Sequence, residues 1–165
     1  MKPTDLLEHP EGGRFREIFR SGRSVHTPAG TVRPAMTHIY FSLNPGEVSR
    51  FHRVSSDEVW NLYQGEGIRL YTWNGTDSPV KRVTLSVAEN RFCHVVPAGT
   101  WQAAEPLSDT VLAGCTVAPG FEFADFELLE PQSVTARFLI DCDPEMRRLI
   151  HPGGARIDGQ SHQPE

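Results

Sequence analysis

Gly46-Glu47-Val48-Ser49-Arg50-Phe51-His52-Arg53-Val54-Ser55-Ser56-Asp57-Glu58-Val59-Trp60-Asn61-Leu62-Tyr63-Gln64-Gly65 is the stretch that decides the fold. His52 and Glu58 stand six residues apart, on either side of a polar turn over residues 53–57. That hairpin-like spacing brings an imidazole and a carboxylate together at the mouth of a barrel. Such a pair acts as a general base or ligates a metal. Trp60 follows Glu58 by two positions, so on a strand the two face the same side. Trp60 is therefore read as a pocket wall.

Outward from this stretch the dominant period is two. Val83, Leu85 and Val87 alternate with Arg82, Thr84 and Ser86, the pattern of a half-buried strand. Runs of the same kind occupy 37–43, 58–63, 68–73, 92–96, 111–117, 121–128 and 136–140. Turn signals separate them: Asn44-Pro45-Gly46, Gly65-Glu66-Gly67, Asn74-Gly75, Pro97-Ala98-Gly99 and Pro119-Gly120. The expected fold is all-β, an antiparallel sandwich or jelly-roll barrel. Helix signals are few. Thr4 could cap a short opening turn, and Asp143-Pro144 opens a short helix over 143–150. A single domain spans 1–165, with the barrel over about 4–142 and a mobile tail over 154–165.

Composition narrows the function. Lys plus Arg is 16 and Asp plus Glu 21, a net charge of −5 with no basic run. Nucleic acid is therefore a poor partner, because binding it needs clustered cations. No apolar stretch approaches membrane-spanning length and the N-terminus has no signal-peptide core, so a cytoplasmic protein is expected. Cys93, Cys115 and Cys142 lack CxxC spacing and are read as free thiols. Gly12-Gly13 and Pro119-Gly120 are read as turns, since neither precedes a clear helix.

A second informative stretch, Val95-Val96-Pro97-Ala98-Gly99-Thr100-Trp101-Gln102-Ala103, places an amide after a Pro-x-Gly turn. Gly46, His52, Glu58 and Gly65 fall in register with the first motif of the cupin superfamily, and Pro97 and Gly99 with its second. The wording resembles one cupin family more closely still, Cupin_5. The matching segments are His9 to Gly13, Phe15-Arg16-Glu17, Ile39-Tyr40-Phe41, Phe51 to Trp60, Val96 to Gln102 and Val117 to Phe126. The resemblance covers roughly residues 4–130. It implies a cupin double-stranded β-helix with short helical segments at both ends.

The departures matter as much as the match. Val54 stands where the first motif usually has its second His, and Gln102 where the second motif has its His. The ligand set that the resemblance implies shrinks to His52, Glu58 and Gln102. The cofactor expectation is thus none, or a weakly bound divalent metal ion. Cupins lacking full metal ligation include sugar-nucleotide epimerases. By that analogy His52 is the base, Glu58 orients it and Tyr40 is a candidate acid. Gln102, Trp60 and Arg16 would contact the ligand. The leading expectation is an epimerase or isomerase acting on a small carbonyl or sugar-type molecule. A metal-dependent oxygenase or isomerase and a non-catalytic small-ligand binder are the alternatives. Similar proteins are commonly dimers, so a homodimer is expected.

Overall fold

A computed structural model describes residues 5–76 and 78–151. Thr4 and the 154–165 tail lie outside the described residues. The strands, in chain order, are β1 (Leu7–Glu8), β2 (Arg14–Arg20), β3 (Ser24–His26), β4 (Val32–Pro34), β5 (Thr37–Leu43), β6 (Ser49–Val54) and β7 (Asp57–Gln64). They continue with β8 (Gly67–Trp73), β9 (Lys81–Ser86), β10 (Cys93–Val96), β11 (Trp101–Pro106), β12 (Val111–Ala118) and β13 (Phe126–Leu128). One α-helix follows, α1 (Val134–Cys142).

Two antiparallel sheets face each other. One has the order β1-β2-β5-β12-β7-β10, the other β13-β6-β11-β8-β9, and β3 and β4 form a separate hairpin. The sheets enclose Phe41, Trp60, Ile68, Leu70, Leu85, Val96 and Val111, all nearly inaccessible to solvent. The turn after β6 is a corner between sheets and not a hairpin, because β6 and β7 belong to different sheets. His52 and Glu58 thus approach the interior from opposite sides.

The five-stranded sheet is buried on both faces. Ile68 and Leu70 of β8 pack inside the barrel, while Tyr71 and Trp73 lie in a second cluster with Phe51 and Trp101. That cluster is roofed by the C-terminal segment through Ala136, Leu139, Met146, Leu149 and Ile150.

The roof corrects the sequence reading. Residues 136–140, expected as a strand, lie within α1. Ser133 caps this helix by accepting a hydrogen bond from the Ala136 amide at 3.1 Å. Ala136, Leu139 and Ile140 then fall on one helical face, so the 3.6-residue period prevails over the apparent alternation. The helix expected over 143–150 is a 3-10 stretch, Pro144–Leu149, capped by Asp143. The run 121–128 is a strand only at Phe126–Leu128, after a 3-10 turn at Phe123–Asp125. No helix precedes β1 among the described residues; β1 and β2 form a hairpin whose loop, residues 9–13, makes a strap.

Leu139 has no exposed surface. Leu139→Ala is therefore expected to cost about 2–5 kcal/mol in urea denaturation. A loss below about 1 kcal/mol would show that the roof is not part of the cooperative unit.

Candidate functional site

The strap is held over one end of the barrel by Arg50. The Arg50 amide donates to the Glu11 carbonyl at 2.8 Å, and Arg50 Nη2 donates to the Pro10 carbonyl at 2.6 Å. Gly12, at φ +109°, lies so close to β6 that a Cβ there would sit 2.2 Å from the Val48 carbonyl oxygen. Only glycine permits that approach. The result is that Glu11 is driven into the interior, where it is 4% exposed.

Glu11 meets His52 there. Its Oε1 accepts from Ser49 Oγ at 2.7 Å, and its Oε2 lies 3.2 Å from His52 Nε2 and 3.3 Å from His9 Nδ1. The other His52 nitrogen, Nδ1, is 2.7 Å from the Arg50 carbonyl oxygen. A carbonyl can only accept, so Nδ1 carries a proton and donates it. A neutral His52 would then present the Nε2 lone pair to a carboxylate oxygen. A proton on the Glu11 carboxyl can therefore be offered to His52 Nε2 or to His9 Nδ1. Burial lowers the His52 pKa and raises that of Glu11. Both directions favour the uncharged pair, with the proton on Glu11.

Across the cavity, burial raises the Glu58 pKa to about 7. Gln102 Nε2 donates to Glu58 Oε2 at 2.6 Å, and Trp60 Nε1 donates to Gln102 Oε1 at 2.8 Å. An indole N–H can only donate, so Trp60 fixes the amide with its oxygen toward the ring and its NH2 toward Glu58. The Cys115 thiol also lines the cavity, and burial pushes its pKa upward.

These contacts decide the fit to a metal. The oxygen of Gln102 is committed to Trp60, Val54 has no donor atom, and His52 Nε2 faces Glu11. Among the described residues, no group of three or more His, Cys, Asp or Glu is arranged to hold an ion. The residues do not fit the four-ligand centre usual in this fold.

The cavity encloses about 90 Å³. His52, Glu58 and Trp60 line it, and Gln102 supports it from the layer behind. Tyr40 and Arg16 do not line it. They are register partners on β5 and β2, whose neighbours Phe15, Glu17, Ile39 and Phe41 point inward. Alternation therefore turns Tyr40 outward, where its ring packs edge-on against Tyr63 at 6.0 Å.

Sequence reasoning missed Glu11 and His9, which it had seen only as part of a motif before a glycine turn. A His and a Glu bracketing Pro10 just ahead of two glycines was the available signal. It also missed the ring cluster of Phe121, Phe123 and Phe126, because a single strand over 121–128 leaves out the 3-10 turn that gathers the rings.

Residues 1–129 match the family described as Cupin superfamily (DUF985). The chain belongs to this family. Its fold is similar to that of a hypothetical protein from Leishmania major, with 27% identity, a TM-score of 0.73, and coverage of 88% of this chain and 90% of that one. A protein from Shewanella oneidensis shows 32% identity and a TM-score of 0.72, with 88% of each chain covered. Oxalate decarboxylase from Bacillus subtilis shares the cupin fold at 15% identity and a TM-score of 0.55, over 78% of this chain and 30% of that one. No curated protein matches the chain. No helix among the described residues of this cupin is long and apolar enough to cross a membrane.

Burial of Glu58 has a measurable consequence. Below about pH 4.5 its carboxyl is protonated both folded and unfolded. Between pH 4.5 and 7 the unfolded chain ionises first, so stability falls as pH rises. A shift from 4.5 to about 7 sets an upper bound of about 3 kcal/mol. Glu58→Gln removes that fall while keeping an acceptor for Gln102. Its stability relative to the parent protein is expected to rise from pH 4.5 to 8 in urea denaturation. A difference that does not change with pH would contradict the assignment.

Proposed function

We propose that this cupin is an isomerase-type enzyme that moves a proton at a carbon next to a carbonyl in a small molecule. The observation that carries the reading is the buried contact of Glu11 Oε2 with His52 Nε2 at 3.2 Å, in a cavity also lined by the carboxyl group of Glu58, whose pKa is about 7. A base works best when its pKa lies near the working pH. Glu58 takes the proton from carbon, and the Glu11–His52 pair donates its proton to the carbonyl oxygen as the enol forms. Returning the proton from Glu58 to carbon, on either face, while the enol hydroxyl gives its proton back to the Glu11–His52 pair, completes the isomerisation. No electrons are gained or lost. Relative to the sequence expectation, Glu58 takes the role of base, because His52 Nε2 is engaged by Glu11. The acid role passes from Tyr40 to Glu11 and His52.

The cavity volume limits the substrate. About 90 Å³ is below the roughly 150 Å³ of a cavity that takes benzene. A sugar nucleotide would place only its reacting end inside. The test is exchange of carbon-bound hydrogen with D2O solvent, followed by proton NMR on small ketones.

A further inference from the structure

The wall of the cavity is built of rings. Phe15, Phe41, Trp60, Phe121, Phe123 and Phe126 all line it. His9 stacks on Phe123 with centroids 6.0 Å apart, and His52 on Phe126 at 5.5 Å. Its lining is rich in acidic groups: Glu17 and Glu122 lie nearer the surface, while in the interior burial favours the neutral form of Glu11 and leaves Glu58, with a pKa of about 7, partly ionised at pH 7. Arg20 is the one Lys or Arg lining it among the described residues. Its Nε and Nη2 donate to the Glu17 carboxylate at 3.0 and 2.9 Å, and its Nη1 donates to Glu122 at 2.7 Å. One guanidinium thus serves two carboxylates, and that trio carries a formal charge of −1.

An anionic ligand would meet the net negative Arg20 trio and a partly ionised Glu58, with the one guanidinium lining the cavity already engaged. A cation would find that charge favourable, and a ring-lined, desolvated wall strengthens the attraction. We infer that the cavity selects a small organic cation, an amine or ammonium group on a compact apolar skeleton, and rejects carboxylates and phosphates of the same size. This rests on the reading of the cavity as the substrate site and names the substrate class for it.

The test compares isobutylammonium, isobutanol and isobutyrate, which share a branched skeleton and differ in charge. Binding to the full chain is measured by calorimetry at pH 7, where the amine is protonated. The ammonium ion is expected to bind at least about tenfold tighter than the alcohol, with isobutyrate weakest. Phe123→Leu removes an exposed ring and should not threaten folding. It is expected to reduce ammonium affinity about three- to tenfold and to leave the alcohol nearly unchanged. Isobutyrate binding as tightly as the ammonium ion, equal binding of ammonium and alcohol, no binding by any of the three, or no effect of Phe123→Leu would each overturn the inference. Binding is read without turnover. Selective ammonium binding without proton exchange would keep the ligand class and sink the isomerase reading; exchange without charge selectivity would do the reverse.

Discussion

His52→Gln is expected to lower the rate of hydrogen exchange on a bound ketone by about 10²–10⁴-fold, the usual worth of a positioned acid or base. Glutamine retains a donor toward the Arg50 carbonyl, so the corner between β6 and β7 should hold. What it cannot do is share a mobile proton with Glu11. The loss should appear in kcat more than in KM, because the ring walls that hold the ligand remain. Glu11→Gln should also lower kcat, since it too removes the shared proton. A His52→Gln protein that exchanges as fast as the parent would remove His52 from the chemistry. A loss confined to KM would reassign it to binding.

Gly12→Ala is expected to produce the second large effect. The added methyl group would sit 2.2 Å from the Val48 carbonyl oxygen, at a φ of +109°. Backbone strain and the clash together should cost about 2–4 kcal/mol. The strap can relieve the clash only by lifting, which withdraws Glu11 from His52 and opens the end of the cavity. Exchange should therefore fall at least about tenfold even where the protein remains folded. Gly22→Ala is the control, because nothing lies within 4 Å of a Cβ there. Equal stability of the two variants would show that the strap is not held as described.

The sequence made the barrel legible because most strands alternate cleanly and glycine and proline punctuate them. Gly46, Gly65, Pro97 and Gly99 set the register around His52, Glu58 and Gln102. The C-terminal roof was harder to read. Ala136 to Ile140 satisfies both a two-residue and a helical period, and the Ser133 cap and the cluster beneath it select the helix. In the site, local spacing revealed the residues on one strand pair. It could not reveal Glu11, which reaches His52 only because a strap from the far N-terminal side crosses β6 at Gly12. Tyr40 failed for a simpler reason. Its neighbours Ile39 and Phe41 face the cavity, so alternation sends its hydroxyl the other way.

The most direct test uses aminoacetone, which carries a ketone, exchangeable carbon-bound hydrogens and an ammonium group on a skeleton small enough for the cavity. Its deuteration in D2O is followed by NMR with the parent protein, His52→Gln and Glu58→Gln, with acetone as the uncharged comparison. The account predicts exchange well above buffer with the parent, near-complete loss in both variants, and slower exchange of acetone. Parent exchange of both ketones no faster than buffer, or parent exchange unchanged in the two variants, would contradict the claim that Glu58 and the Glu11–His52 pair move a proton in this cavity.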